Sequence, residues 1–159
     1  MIFFRISSWQ VVCACLFLAA CDAASERAGP VFDEAWIRPL PPGMKMTAGF
    51  GTISNPGKKP IIFNKFESSS FGEVSLHRTM MVDGVSKMRE VDELPVAPGE
   101  SAVLEPGGYH LMLMMPKERY TEGQQLDMTL KLDNGENQTI TFPVKKGDAM
   151  MMHHHHHNH

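Results

Sequence analysis

From residue 31 onward, short apolar or alternating runs recur between turn-forming residues, and this rhythm restricts the chain to a β architecture. The runs cover 31–38, 47–54, 60–66, 71–77, 86–91, 101–104, 109–115, 125–132 and 138–144. The breaks hold Pro39-Leu40-Pro41-Pro42-Gly43, Asn55-Pro56-Gly57, Asp83-Gly84, Pro98-Gly99, Pro106-Gly107-Gly108 and Asn134-Gly135. Strands of this length, with turns at this spacing, predict a β-sandwich or barrel. Asp133-Asn134-Gly135-Glu136 lies between two alternating runs and predicts a hairpin, because Asn-Gly tolerates the positive φ of a tight turn. No stretch sustains a helical period over three turns. Neither an internal repeat nor a second domain is visible.

Composition narrows the function. Of 159 residues, 43% are hydrophobic, enough for a packed core in one domain. The formal net charge is −3, and no basic stripe is available to neutralise phosphates, so nucleic acid is excluded as a partner. All three cysteines, Cys13, Cys15 and Cys21, precede the first predicted strand. The folded body therefore lacks a thiol nucleophile, a structural Cys zinc site and a blue-copper thiolate. By contrast, 13 Met and 8 His are an excess of metal-ligating side chains.

The N-terminus reads as an address. Residues 1–20 carry one basic residue, Arg5, and an apolar run from Val11 to Ala20 that is too short to span a bilayer comfortably. The run ends in Leu18-Ala19-Ala20-Cys21, which looks like a bacterial lipobox. In that reading 1–20 is a signal peptide, Cys21 becomes a lipidated N-terminus, and 21–30 is a polar tether to the domain at 31–146. Ordinary cleavage near Ala23-Ala24 is the alternative and would give a soluble exported protein.

The residues with metal chemistry are concentrated in two runs. In Tyr109-His110-Leu111-Met112-Leu113-Met114-Met115, alternation puts Leu111, Leu113 and Met115 on the core face and His110, Met112 and Met114 on the other. Upstream, Val74 and Leu76 face inward and His77 outward. A turn at Val82-Asp83-Gly84 would let Met88 meet His77 if the flanking segments pair. Ten residues separate His77 from Met88, twenty-one separate Met88 from His110, and one separates His110 from Met112.

This spacing resembles the His-X10-Met-X21-His-X-Met signature of the periplasmic copper chaperones of the PCu(A)C family. The resemblance runs from about Trp36 to Val144 and includes the Pro41-Pro42-Gly43 turn, the Asp83-Gly84 turn and Pro106-Gly107-Gly108-Tyr109. It implies a cupredoxin-like Greek-key β-barrel or sandwich that binds Cu(I) through His77, Met88, His110 and Met112. It also implies an exported, non-enzymatic carrier that supplies copper for the dinuclear copper centre of cytochrome c oxidase. The implied partner is the oxidase subunit carrying that centre, or its thiol-containing assembly factor. The chemistry agrees, since neutral thioethers favour Cu(I) over harder ions. One departure is visible: some members have Met directly after the first His, where this chain has Arg78.

Other candidates are weighed on the same terms. Met80 and Met81 are expected in a turn after His77, packing at the rim. Met44 and Met46 share a face but are expected to lie away from the copper mouth. Trp36, Phe50 and Met128 are expected in the core. The C-terminal run Met150, Met151, Met152, His153, His154, His155, His156, His157, Asn158 and His159 reads as a second metal tract able to take Cu(II) on imidazoles. A purification tag is the alternative, but the run is broken by Asn158, lacks an engineered linker, and accompanies a complete export signal. A general periplasmic copper buffer acting through this tail is the rival function.

Overall fold

The computed structural model describes residues 29–146 and consists of strands throughout. The strands are β1 (Val31–Ile37), β2 (Met46–Ser54), β3 (Ile61–Glu67), β4 (Phe71–Val82), β5 (Val85–Glu90), β6 (Leu94–Val96), β7 (Ser101–Leu104), β8 (Tyr109–Pro116), β9 (Gln125–Leu132) and β10 (Asn137–Pro143). Cys21, the signal peptide and the Met/His tail lie outside the described residues.

Two sheets face each other. One has six strands in the order β1-β2-β7-β8-β4-β5, with β2 also pairing β8, and the other has four in the order β10-β9-β3-β6. The chain passes between sheets at β2–β3, β3–β4, β5–β6, β6–β7 and β8–β9, which is the Greek-key habit of sandwiches. An isolated parallel bridge between Ile37 and Val144 ties the sheets at one edge, but they do not close. The fold is thus a cupredoxin-like sandwich rather than a sealed barrel.

The core lies between the sheets, where inward residues of each strand meet. Leu76, Leu111, Leu113, Ile37 and Ile53 come from the six-stranded sheet, and Phe63, Met128, Leu130 and Phe142 from the other. Fully burying each of these side chains is worth about 1.5–3 kcal/mol, so a domain whose described residues include no cysteine has a sufficient source of stability. Asn55 is the most deeply buried polar residue among those described, at 1% exposure, and it is fully used. Its amide donates to the carbonyls of Lys59 and Val96, and its Oδ1 accepts from the Gly57 amide. That satisfied network pins the Asn55-Pro56-Gly57 turn to β6.

Both hairpin turns read from the sequence are present. Gly135 has φ +85°, and Asn134 Oδ1 accepts from the Glu136 amide at 2.9 Å, closing the β9–β10 turn. Asp83 and Gly84 have φ values of +52° and +75°, a combination that matches the right-handed twist of the paired strands. This turn pairs Val82 with Val85 and extends β4 well past His77, so Met80 and Met81 lie in a strand and not in a turn. Met115 also departs from expectation. Its φ of +53° breaks the alternation, and it is 54% exposed instead of continuing the Leu face.

Candidate metal centre

The outer face of the six-stranded sheet, not its core, carries the metal chemistry. On β8, Leu111 and Leu113 are fully buried against the other sheet, which turns His110, Met112 and Met114 outward. On β4, Leu76 points inward and Ser75 and His77 outward. The β4–β8 register makes His77 the direct partner of His110, and Ser75 that of Met112. The two imidazole centroids are 6.0 Å apart, with ring planes inclined by 34°.

Met88 reaches the same face from β5. Its Cα partner is Thr79, which makes it a diagonal neighbour of His77. Diagonal pairs are about 7–8 Å apart, a gap that a long thioether side chain can bridge. Met88, His110 and Met112 line one cleft of about 340 Å³, and the half-buried His77 lies beside His110 and is not among the residues lining that cleft. The four residues singled out by spacing are therefore gathered on one face of three consecutive paired strands.

Hydrogen bonds prepare the imidazoles. His110 Nδ1 lies 3.1 Å from the Gly108 carbonyl, and because a carbonyl can only accept, Nδ1 carries the proton and Nε2 the free lone pair. His77 Nε2 lies 2.9 Å from Ser75 Oγ, while its Nδ1 is buried with no hydrogen-bond partner. With Nε2–H donating to Ser75, Nδ1 presents a bare lone pair. A buried ring nitrogen without a hydrogen-bond partner, on a sheet face shared with a second imidazole and two thioethers, offers its lone pair to a soft ion. Burial, above all, holds the His110 imidazole below the ordinary histidine range; the Gly108 carbonyl opposes this, and the charges of His77 and Arg38 reinforce it. A neutral imidazole is the form that ligates metal.

Several residues fall differently from expectation. Trp36 and Phe50 are not in the core between the sheets; they sit on the outer face, because Trp36 pairs with Phe50 across β1–β2 and Phe50 follows Met46 and Ala48 along β2. Phe50 is only 3% exposed since Trp36 covers it at 4.6 Å, Arg38 caps its ring at 5.4 Å, and His110 lies 6.5 Å away. Met44 and Met46 line the cleft, contrary to expectation. Met128 is fully buried in the core, as expected. Arg78, the residue after His77, alternates away from the His77 face and places its guanidinium 4.9 Å from the centre of the Tyr109 ring.

Residues 31–144 match the family "Putative lipoprotein LpqE-like". The chain is 31% identical over 135 residues to the Leifsonia xyli subsp. xyli protein Lxx21020, itself named as a putative lipoprotein, covering 84% of this chain and 80% of that one. Among solved structures, it resembles the solution structure of CuI-DR1885 from Deinococcus radiodurans, with a TM-score of 0.66 and 25% identity over 82% of this chain and 87% of that one. The copper-bound PCuAC domain from PmoF2 superposes with a TM-score of 0.63 at 19% identity, over 76% of this chain and 95% of that domain. The chain belongs to the LpqE-like family, which is of the PCuAC type.

Proposed function

We propose that this protein is an exported copper chaperone that carries one Cu(I) on His77, Met88, His110 and Met112 and delivers it for assembly of the dinuclear copper centre of cytochrome c oxidase. The observation that carries the reading is the facing pair His77 and His110, with His77 Nδ1 buried and unpartnered and two Met on the same sheet face. The copper bound by CuI-DR1885 and by the PmoF2 domain supports it. Among the described residues no group of three or more His, Cys, Asp or Glu gathers, so the donor set is soft and neutral rather than acidic. Such a set favours Cu(I) over Zn(II) and Cu(II).

Delivery follows from the same chemistry. Four protein donors would leave no position for an activated water, which suits carriage and not hydrolysis. None of them is a thiolate, so an acceptor offering two thiolates outcompetes them, and Met88, half exposed at the edge of the site, is the donor easiest to displace. The export signal, the lipid anchor at Cys21 and the copper-collecting tail from Met150 to His159 belong to this reading, with the tail capturing copper and the sheet site retaining it.

The test is transfer. Cu(I)-loaded protein mixed anaerobically with the reduced, copper-free soluble domain of the oxidase subunit should pass its copper on, and a His110→Ala chain should hold the first equivalent far more weakly and deliver less of it. Normal loading with no transfer would remove the delivery role; unchanged loading of the His110→Ala chain would remove the site.

A further inference from the structure

A second feature of the same cleft concerns sulfur outside the four-residue set. Met44 follows the Pro41-Pro42-Gly43 turn, whose Pro41 carbonyl accepts from the Met44 amide at 3.1 Å, and Met46 opens β2. Both side chains line the cleft that holds His110 and Met112, and they are 50% and 43% exposed. The β2–β8 register pairs Met46 with Met114 and sets Ala48 opposite Met112. Ala48 is short, so the floor between Met46 and Phe50 stays low, and the Met112 thioether has open space toward Met46. No carboxylate lines this cleft, and its single charged group, Arg38, is cationic. A hard divalent cation finds no ligand there, whereas a soft monovalent ion finds thioethers.

We infer that Met44 and Met46, with Met112, form a second Cu(I) station made of thioethers at the mouth of the cleft, outside the His77–His110 pair. The inference rests on the proposed inner site, because Met112 is the donor the two positions share. Copper at the outer station is held by Met44, Met46 and Met112; moving inward, it keeps Met112, gives up the Met44 and Met46 sulfurs and takes the His77 and His110 imidazoles and the Met88 thioether in their place. Copper stays Cu(I) throughout, no proton is released at the outer station because thioethers do not titrate, and the ion is never left to water. Loading and unloading thus proceed by single-ligand exchanges rather than by full dissociation.

The full chain labelled at the methionine ε-methyl carbons and titrated anaerobically with Cu(I) tests this by NMR. In the parent chain the Met88 and Met112 methyls should shift with the first equivalent; in a His77→Ala/His110→Ala chain, whose inner site is disabled, the Met44, Met46 and Met112 methyls should shift instead. The exposed double variant Met44→Leu/Met46→Leu should keep the parent's Met88 and Met112 response at equilibrium and load the inner site more slowly. The outer station is overturned if the Met44 and Met46 methyls stay fixed in the His77→Ala/His110→Ala chain, or if the Met44→Leu/Met46→Leu chain loads as fast as the parent. Stationary Met88 and Met112 methyls would instead overturn the inner site, so the two failures are distinct.

Discussion

Ser75 touches no copper in the proposed site, yet its replacement by Ala should weaken Cu(I) binding about tenfold to hundredfold. The hydroxyl is 9% exposed, lies 2.9 Å from His77 Nε2, and is the one hydrogen-bond partner His77 has through its ring. A single neutral hydrogen bond contributes about 0.5–1.5 kcal/mol by itself. Here it also holds the His77 ring in one orientation, and losing such a partner to a ligating histidine costs about 10–100-fold in metal affinity. That range corresponds to about 1.4–2.8 kcal/mol. Ser75 stands opposite Met112 on the outer face, so removing Oγ leaves the core between the sheets intact. Competition against a chromophoric Cu(I) chelator under anaerobic conditions reads the affinity directly, and urea denaturation of the copper-free protein checks the fold. A Ser75→Ala chain with the parent's Cu(I) affinity would refute the claim that His77 is a ligand oriented by Ser75. Weaker binding accompanied by an equal loss of folding stability would refute it as well.

Further expectations follow from the same geometry. Met128→Ala should cost about 2–5 kcal/mol of stability, because its fully buried side chain leaves a cavity, while Cu(I) affinity stays at the parent value, since Met128 belongs to the other sheet; denaturation and chelator competition check the two halves. Acid should destabilise the copper-free fold through His110. Its imidazole is held below the ordinary range in the folded state, so its stabilising contribution is full above the unfolded value of about 6.5 and is lost as pH falls through the folded-state value. The urea midpoint should therefore drop as the solution is acidified from about pH 6.5, and a midpoint that rises over that interval would contradict the assignment.

Where the sequence pattern was legible, single-residue physics explains why. Strands β1–β5 and β7–β10 correspond to the predicted runs because each is long enough to show alternation and is bounded by Gly, Pro or Asn-Gly. Strand β6 escaped notice: Leu94-Pro95-Val96 is three residues long and has proline at its centre, a composition tolerated only because β6 is the edge of its sheet. Strand β4 was read too short, because the residues after Leu76 leave the core and no longer alternate in burial. The His and Met positions of the site were legible from spacing, and the register that pairs His77 with His110 gives that spacing its meaning. Phe50 was misread because both faces of β2 are apolar, and Trp36 because the irregularity at Glu34, with φ +52°, breaks the alternation of β1. The part played by Ser75 and Gly108 left no sequence signal, since a serine and a glycine next to strand histidines are ordinary residues until the hydrogen bonds are drawn. Met44 and Met46 reach the cleft through a turn whose path the sequence does not encode in any period.

The central claim is the donor set, and X-ray absorption at the copper edge reads that set most directly. The full chain loaded anaerobically with one equivalent of Cu(I) should give an edge characteristic of Cu(I) and a shell of two imidazole nitrogens and two thioether sulfurs. Replacing His110 with Ala should remove one imidazole from that shell. A first equivalent with no sulfur neighbours, or one whose shell is unchanged in the His110→Ala chain, would contradict the account.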